Sequence, residues 1–259
     1  MIKFFRKIRR KLAYDNNMGK YLRYATGEIL LVIIGILLAL QINNSYEERI
    51  EKRTFQNNLQ FVIEDLDQDK TDLLRLKNER QRVYNKANDI LQAAKERTII
   101  SSREIYENSE IMLWKSFEIN ANGLERIQSS NLYESLKFEP LRKKIREYYI
   151  VYRQIKDLEK KLNESVEEME VEMSKDGSIL DLYEYSNLVS KKEGINDNLK
   201  NEIENYHIDF NKFIINNPPM LALFERGKLI TNVIIQTYDK HIELGDDLKR
   251  DIRNYLNKK

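Results

Sequence analysis

YATGEILLVIIGILLALQI, residues 24–42, is the stretch on which the reading of this chain turns. Its centre, residues 29–40, is unbroken apolar sequence, and nineteen residues at 1.5 Å rise make a helix of roughly 28 Å, close to the hydrocarbon thickness of a bilayer. A transmembrane helix is therefore expected at 24–42. Working outward, eight basic residues precede it: Lys3, Arg6, Lys7, Arg9, Arg10, Lys11, Lys20 and Arg23. Its other flank mixes Glu47, Glu48 and Glu51 with Arg49, Lys52 and Arg53. The positive-inside bias then puts the N-terminal segment, residues 1–23, in the cytoplasm and residues 43–259 outside it. A cleaved secretory signal is the competing interpretation, since a basic segment before a short apolar run is also what such signals contain. No small-x-small cleavage pattern follows the run, so an uncleaved anchor is expected.

Three residues of the anchor stand out. Glu28 lies inside the span near its cytoplasmic end, where a carboxylate either snorkels to the interface or meets a polar group on another membrane helix. Gly35 and Ala39 form a small-xxx-small pair that lets two helices approach closely. Before the span, Met1, Phe5, Ile8 and Leu12 recur at helical spacing among Lys and Arg, the pattern of a segment lying in the headgroup layer or of a plain topology signal.

Residues 27–44, GEILLVIIGILLALQINN, preceded by MIKFFRKIRRKL and followed by Glu47-Glu48-Arg49, closely resemble an uncharacterised family of single-span membrane proteins from Bacteroidetes-type Gram-negative bacteria, a domain of unknown function. The segments SSNL at 129–132 and PLRKKIREYY at 140–149 are similar to the middle region of that family, and the resemblance covers about the first 155 residues. Members usually carry Trp where this chain has Ser45, so an interfacial aromatic is missing here. The resemblance implies an inner-membrane protein with a periplasmic helical domain, and it implies no reaction.

Composition bears on the remaining 217 of the 259 residues. Eight glycines and three prolines supply too few turns for a many-stranded sandwich, and 33% charged residues favour long solvated helices. Residues 1–42 carry a net +6, eight Lys/Arg against Asp15 and Glu28, which leaves about −4 of the formal +2 for the rest. An acidic domain has no electrostatic reason to bind nucleic acid. Without cysteine there is neither a disulfide framework nor a thiolate site.

From Phe55 the sequence keeps a three-four repeat: Phe55, Leu59, Val62, Leu66, Asp69, Leu73, Leu76, Arg80, Val83, Ala87, Ile90, Ala94. Such a stripe makes a long helix, packed either within the chain or as a coiled coil between chains, with Asp69 and Arg80 setting register. Thr98 to Ser102 breaks it, and Ser101 with Glu104 makes a capping box for a shorter helix through Phe117. Asn122-Gly123 predicts a turn. Pro140 starts a second long helix through Met173, stopped at Asp176-Gly177. Leu199, Ile203, Tyr206, Phe210 and Phe213 predict a third, broken by Pro218-Pro219, and Ile230 to Tyr255 a fourth. The expected fold is all-α: one N-terminal transmembrane helix followed by an elongated antiparallel helical bundle.

Motifs for chemistry are sparse. Glu204 and His207 have the Glu-x-x-His spacing that puts a carboxylate and an imidazole on one helix face, as di-iron bundles require, and they are the candidate metal ligands. The second copy is missing, because His241 follows Tyr238 rather than an acid. His241 falls on an apolar helix face, the place of a satisfied core histidine. Phosphate loops, nucleophile elbows and zinc helices are absent from the sequence, so no catalytic residue and no cofactor is expected. The fifteen tyrosines and Trp114 are expected in the core rather than around a ligand, with Tyr148, Tyr149 and Tyr152 the densest group. The expected function is a non-enzymatic scaffold, partner-binding or sensing protein, its partners the lipid bilayer and either a second copy or another membrane protein. The alternative is a membrane-tethered metal-binding or di-iron-like enzyme built around Glu204 and His207.

Overall fold

The structure, a computed structural model, describes residues 18–177, 179–191 and 197–257. The headgroup-layer segment expected from Met1 to Leu12 lies outside them. All regular structure among the described residues is helical. Helix α1 runs Met18–Glu96, α2 Ser102–Asn108, α3 Asn122–Gln128, α4 Glu139–Asp176, α5 Leu180–Ser190, α6 Asp197–Asn205 and α7 Pro218–Asn257. By its contacts the chain divides into two units, residues 1–57 and residues 58–259.

In the first unit the apolar run is helical throughout, and residues 29–40 are all exposed. Among the described residues one helix is long and apolar enough to cross a membrane; its best 18-residue window has a mean hydropathy of 2.3 and none of it is buried. The Thr26 hydroxyl donates to the Leu22 carbonyl at 2.9 Å, which hides that polar group against its own helix.

In the second unit the striped face of α1 is buried from Leu59 to Ile90, with Asp69 and Arg80 as hidden as their apolar neighbours. Leu73 and Leu76 share a core with Phe117, Ile155, Leu162, Ile234 and Tyr238. Further along, Val83, Ala87 and Ile90 join Val166, Phe213, Phe224 and the buried face of α5. The stripe thus finds its partners within the chain. Ion pairs fix the direction of α7: Asp67 meets Lys249, Lys70 meets Asp246 and Lys77 meets Asp239, so α7 runs against α1.

Helix α4 runs the other way from the simple up-and-down expectation. Asp69 meets Tyr148 and Arg80 meets Glu159, so positions advance together and α4 lies parallel to α1. The connection between them makes this possible by doubling back along α1. Lys86 reaches the Glu107 carbonyl, Arg82 reaches Glu110, Arg80 the Lys115 carbonyl, Asp69 accepts from Asn120, and Asp65 from Gly123. An antiparallel arrangement throughout is therefore corrected for this pair of helices.

Local signals fare unevenly. The capping box at Ser101 and Glu104 is present, and Gly177 ends α4 with φ of 72°, the left-handed conformation glycine adopts without strain. The helix expected to reach Phe117 stops at Asn108, continues as a 3₁₀ turn at Ser109–Met112, and then becomes irregular. Asn122-Gly123 opens α3 instead of making a turn. A Cβ on Gly123 would lie 2.5 Å from the Phe61 carbonyl carbon and 2.7 Å from the Val62 Cα, so glycine is there for close approach of two backbones.

The third long helix is split. Helix α6 ends at Asn205, residues 206–209 are non-helical, and a π-helical turn occupies Asn211–Ile215. Two local interactions hold the break open: the Ser102 hydroxyl donates to the Tyr206 carbonyl and accepts from the Ile208 amide, both at 2.8 Å. Asp209 Oδ1 accepts from the Asn211 amide and starts the next turn. Pro218 and Pro219 begin α7, where missing amide protons cost nothing, so the last helix starts well before Ile230.

Candidate functional site

The chemistry-bearing residues of the second unit gather in a buried polar layer between α1, α4, α7 and the segment at 115–120. Arg80, Glu159, Asp69 and His241 are each no more than 1% exposed. Arg80 and Glu159 approach to 3.7 Å, Arg80 donates to the Lys115 carbonyl at 2.7 Å, and Glu159 accepts from the Phe117 amide at 3.0 Å and from the Tyr238 hydroxyl. One carboxylate thus collects a cation, an amide and a phenol, the set that makes a buried charge tolerable. Burial still pushes the Glu159 carboxyl above the usual range, with the bonds from Tyr238 and Phe117 and the charge of Arg80 pulling the other way.

Asp69 is the second centre. It accepts from the Asn120 amide and side chain, both at 2.8 Å, and from the Tyr148 hydroxyl at 2.8 Å. Burial raises its carboxyl as well, and desolvation drives the Tyr148 and Tyr238 phenols strongly upward. Against the face of the Tyr148 ring the His241 ring stacks at 3.8 Å and 22°, while Phe117 meets the imidazole edge-on at 5.8 Å. Both His241 ring nitrogens lack a hydrogen-bond partner, as do Arg80 Nε and Thr231 Oγ1. The expected satisfied core histidine is thus a core histidine without hydrogen bonds, and burial lowers it to about 4.

Asp69 and Arg80 were legible as breaks in an apolar stripe. Glu159 carries a weaker signal: it lies four residues after Ile155 and three before Leu162 and so falls on the buried face of α4. Ser102 and Asn120 carried no periodic signal at all, because their roles depend on contacts more than fifty residues away.

A second feature is an open cleft of about 320 Å³ lined by Tyr106, Glu110, Met112, Leu113, Leu182 and Tyr183, among others. At its edge Glu110 accepts from Arg82 at 2.7 and 3.0 Å, with Lys86 at 3.2 Å and Lys115 at 3.3 Å. The Arg82 bonds come first in holding its carboxyl down, to about 2. Tyr148 is core, as expected, and Tyr149 and Tyr152 are half-buried, each pushed up to about 12 chiefly by desolvation. Trp114 departs from the expectation: it is 64% exposed, in the irregular stretch after the 3₁₀ turn rather than on a packed helix.

The candidate metal ligands are not on one helical face. Glu204 is exposed in the last turn of α6 and His207 is exposed in the break that follows, so the i to i+3 geometry their spacing assumed is not formed. Among the described residues no group of three or more His, Asp or Glu is placed to hold a metal ion. In the apolar helix of the first unit, Glu28 is partly exposed, whereas Gly35 and Ala39 are exposed, and a Cβ on Gly35 would meet nothing within 4 Å. Comparison of the chain with protein-family models, with curated proteins and with solved structures finds no match.

Proposed function

We propose that this chain is a non-enzymatic, single-span protein of a bacterial inner membrane, N-terminus in the cytoplasm, whose residues 43–259 form a periplasmic helical bundle for scaffolding, partner binding or sensing. The observation that carries the proposal is the wholly exposed apolar helix at 29–40, a surface that water makes unfavourable and a lipid bilayer does not. Orientation rests on the eight basic residues before the span, and the periplasm on the resemblance of residues 27–44 to an inner-membrane family. The buried polar residues support a binding or scaffolding role, since Asp69, Arg80 and Glu159 are committed to backbone and side-chain groups of the fold itself. Lipid is one partner. A second copy or another membrane protein, meeting the span at Gly35 and Ala39, is the other, and nucleic acid is not a partner.

Carbonate extraction of membranes and a reporter fused after Lys259 test the anchor and its direction. The chain is expected to stay in the membrane fraction, with the reporter active only as an exported protein. A soluble chain or a cytosolic reporter would sink the proposal. Crosslinking in native membranes tests the partner role, which a chain yielding neither a neighbour nor a self-crosslink does not have.

A further inference from the structure

His241 is an expensive residue where it stands. A neutral imidazole always carries one N–H and one lone pair, and here both are buried without a protein partner, so each forfeits the hydrogen bond it makes in water. A phenylalanine or leucine would fill the site against Tyr148 and Phe117 without that cost. The imidazole also lies against the ring of the one tyrosine that bonds the buried carboxylate of Asp69. Three residues earlier on the same helix, Tyr238 donates to Glu159, which faces Arg80.

We propose that His241 is a proton-operated release point for α7: when its imidazole takes up a proton, a cation arises on the aromatic surface where α7 packs on Tyr148 and Phe117, and α7 loosens there. The groups that face this part of α7 decide the sign. Helix α1 supplies Asp69 and Arg80, with Asp65 one turn away, and Lys77 and Lys70, which are paired with Asp239 and Asp246 of α7 on either side of His241. Helix α4 supplies Tyr148, Tyr152 and Glu159, the returning segment Glu118 beyond Phe117, and α7 itself Tyr238. The two buried carboxylates are already occupied, Asp69 by Asn120 and Tyr148, Glu159 by Phe117, Tyr238 and Arg80, and neither bonds the imidazole. An imidazolium at this position therefore lacks an anion of its own.

Linkage gives the size. A histidine near 6.5 when unfolded and about 4 when folded resists protonation in the fold, so its contribution to stability is present at pH 7 and lost as pH falls through that window. The loss amounts to roughly a hundredfold in the folding equilibrium constant between pH 7 and pH 4. Asp69 and Glu159, shifted upward, act in the opposite sense, so the histidine must be isolated by comparison.

The test uses the full chain in detergent micelles. Urea unfolding is followed at pH 7, 5.5 and 4 for the wild type, His241→Phe and His241→Leu, with the His241 ring titrated by NMR, where His207 is the only other histidine signal. Expected are variants at least as stable as wild type at pH 7, and an advantage that grows by about one to two orders of magnitude in the equilibrium constant by pH 4. The ring is expected to stay neutral down to the pH at which α7 releases. Variants that follow the wild-type pH profile in parallel, variants that both fail to fold at pH 7, or a ring that titrates near 6.5 with α7 still packed would each overturn the proposal.

Discussion

Two glycines show how one missing methyl group is used differently. At Gly123 the added Cβ would strike backbone of α1, which cannot swing aside, whereas at Gly227 it would meet the Cδ1 tip of Ile111 at 2.5 Å, the far end of a flexible side chain. Gly123→Ala is expected to lose about 2–3 kcal/mol in urea unfolding and Gly227→Ala less than about 1.5, because only the second site can repack. Equal losses would show that backbone approach is not what fixes residue 123. Charge gives a sharper case at Glu159. Replacement by leucine leaves Arg80 buried without its carboxylate and strips the Phe117 amide and Tyr238 hydroxyl of their acceptor. A loss of about 3–5 kcal/mol is expected, and a variant within about 1 kcal/mol of wild type would show that the pair is not held in the fold.

At the scale of elements, the stripes that could be followed for many turns were the ones legible in sequence. The repeat from Leu59 to Ile90 and the run from Leu141 to Met173 are helices with those faces buried, because a long amphipathic pattern is reinforced by every turn it packs. The stripe from Leu199 to Phe213 misled for the converse reason. Its apolar spacing is helical, but Ser102, a hundred residues away in sequence, bonds both the Tyr206 carbonyl and the Ile208 amide and so replaces the helical bonds of that turn. The same break removes the geometry that made Glu204 and His207 a candidate pair. Ser102→Ala would leave the buried Ile208 N–H without its acceptor. A cost of about 1–3 kcal/mol is expected, together with faster hydrogen exchange at the Ile208 amide, and unchanged protection there would assign the break to another cause.

At the scale of the whole molecule, acid acts through groups of opposite sign. Glu110, held down to about 2 by Arg82 first and by Lys86 and Lys115 after it, contributes stability that is present above the ordinary carboxylate range and is lost as pH falls toward 2. Glu110→Gln is expected to cost about 1 kcal/mol at pH 7, a modest figure because Arg82 is more than half exposed, and to make no difference below about pH 2. Urea midpoints across that range check it, and a variant equally penalised at both ends would rule out the charge as the cause. The parallel course of α1 and α4 has its own consequence for how the chain is made. Asp69 waits for Tyr148, 79 residues later, and Asp67 for Lys249, 182 later, so the greasy side of residues 59–90 leaves the ribosome with only the returning segment at 105–123 close behind it and long before α4 and α7 exist to complete its cover. Neighbouring helices of a simple hairpin can zip together as they emerge. Here full closure is deferred to the end of synthesis, and refolding is expected to be slow for an all-helical protein.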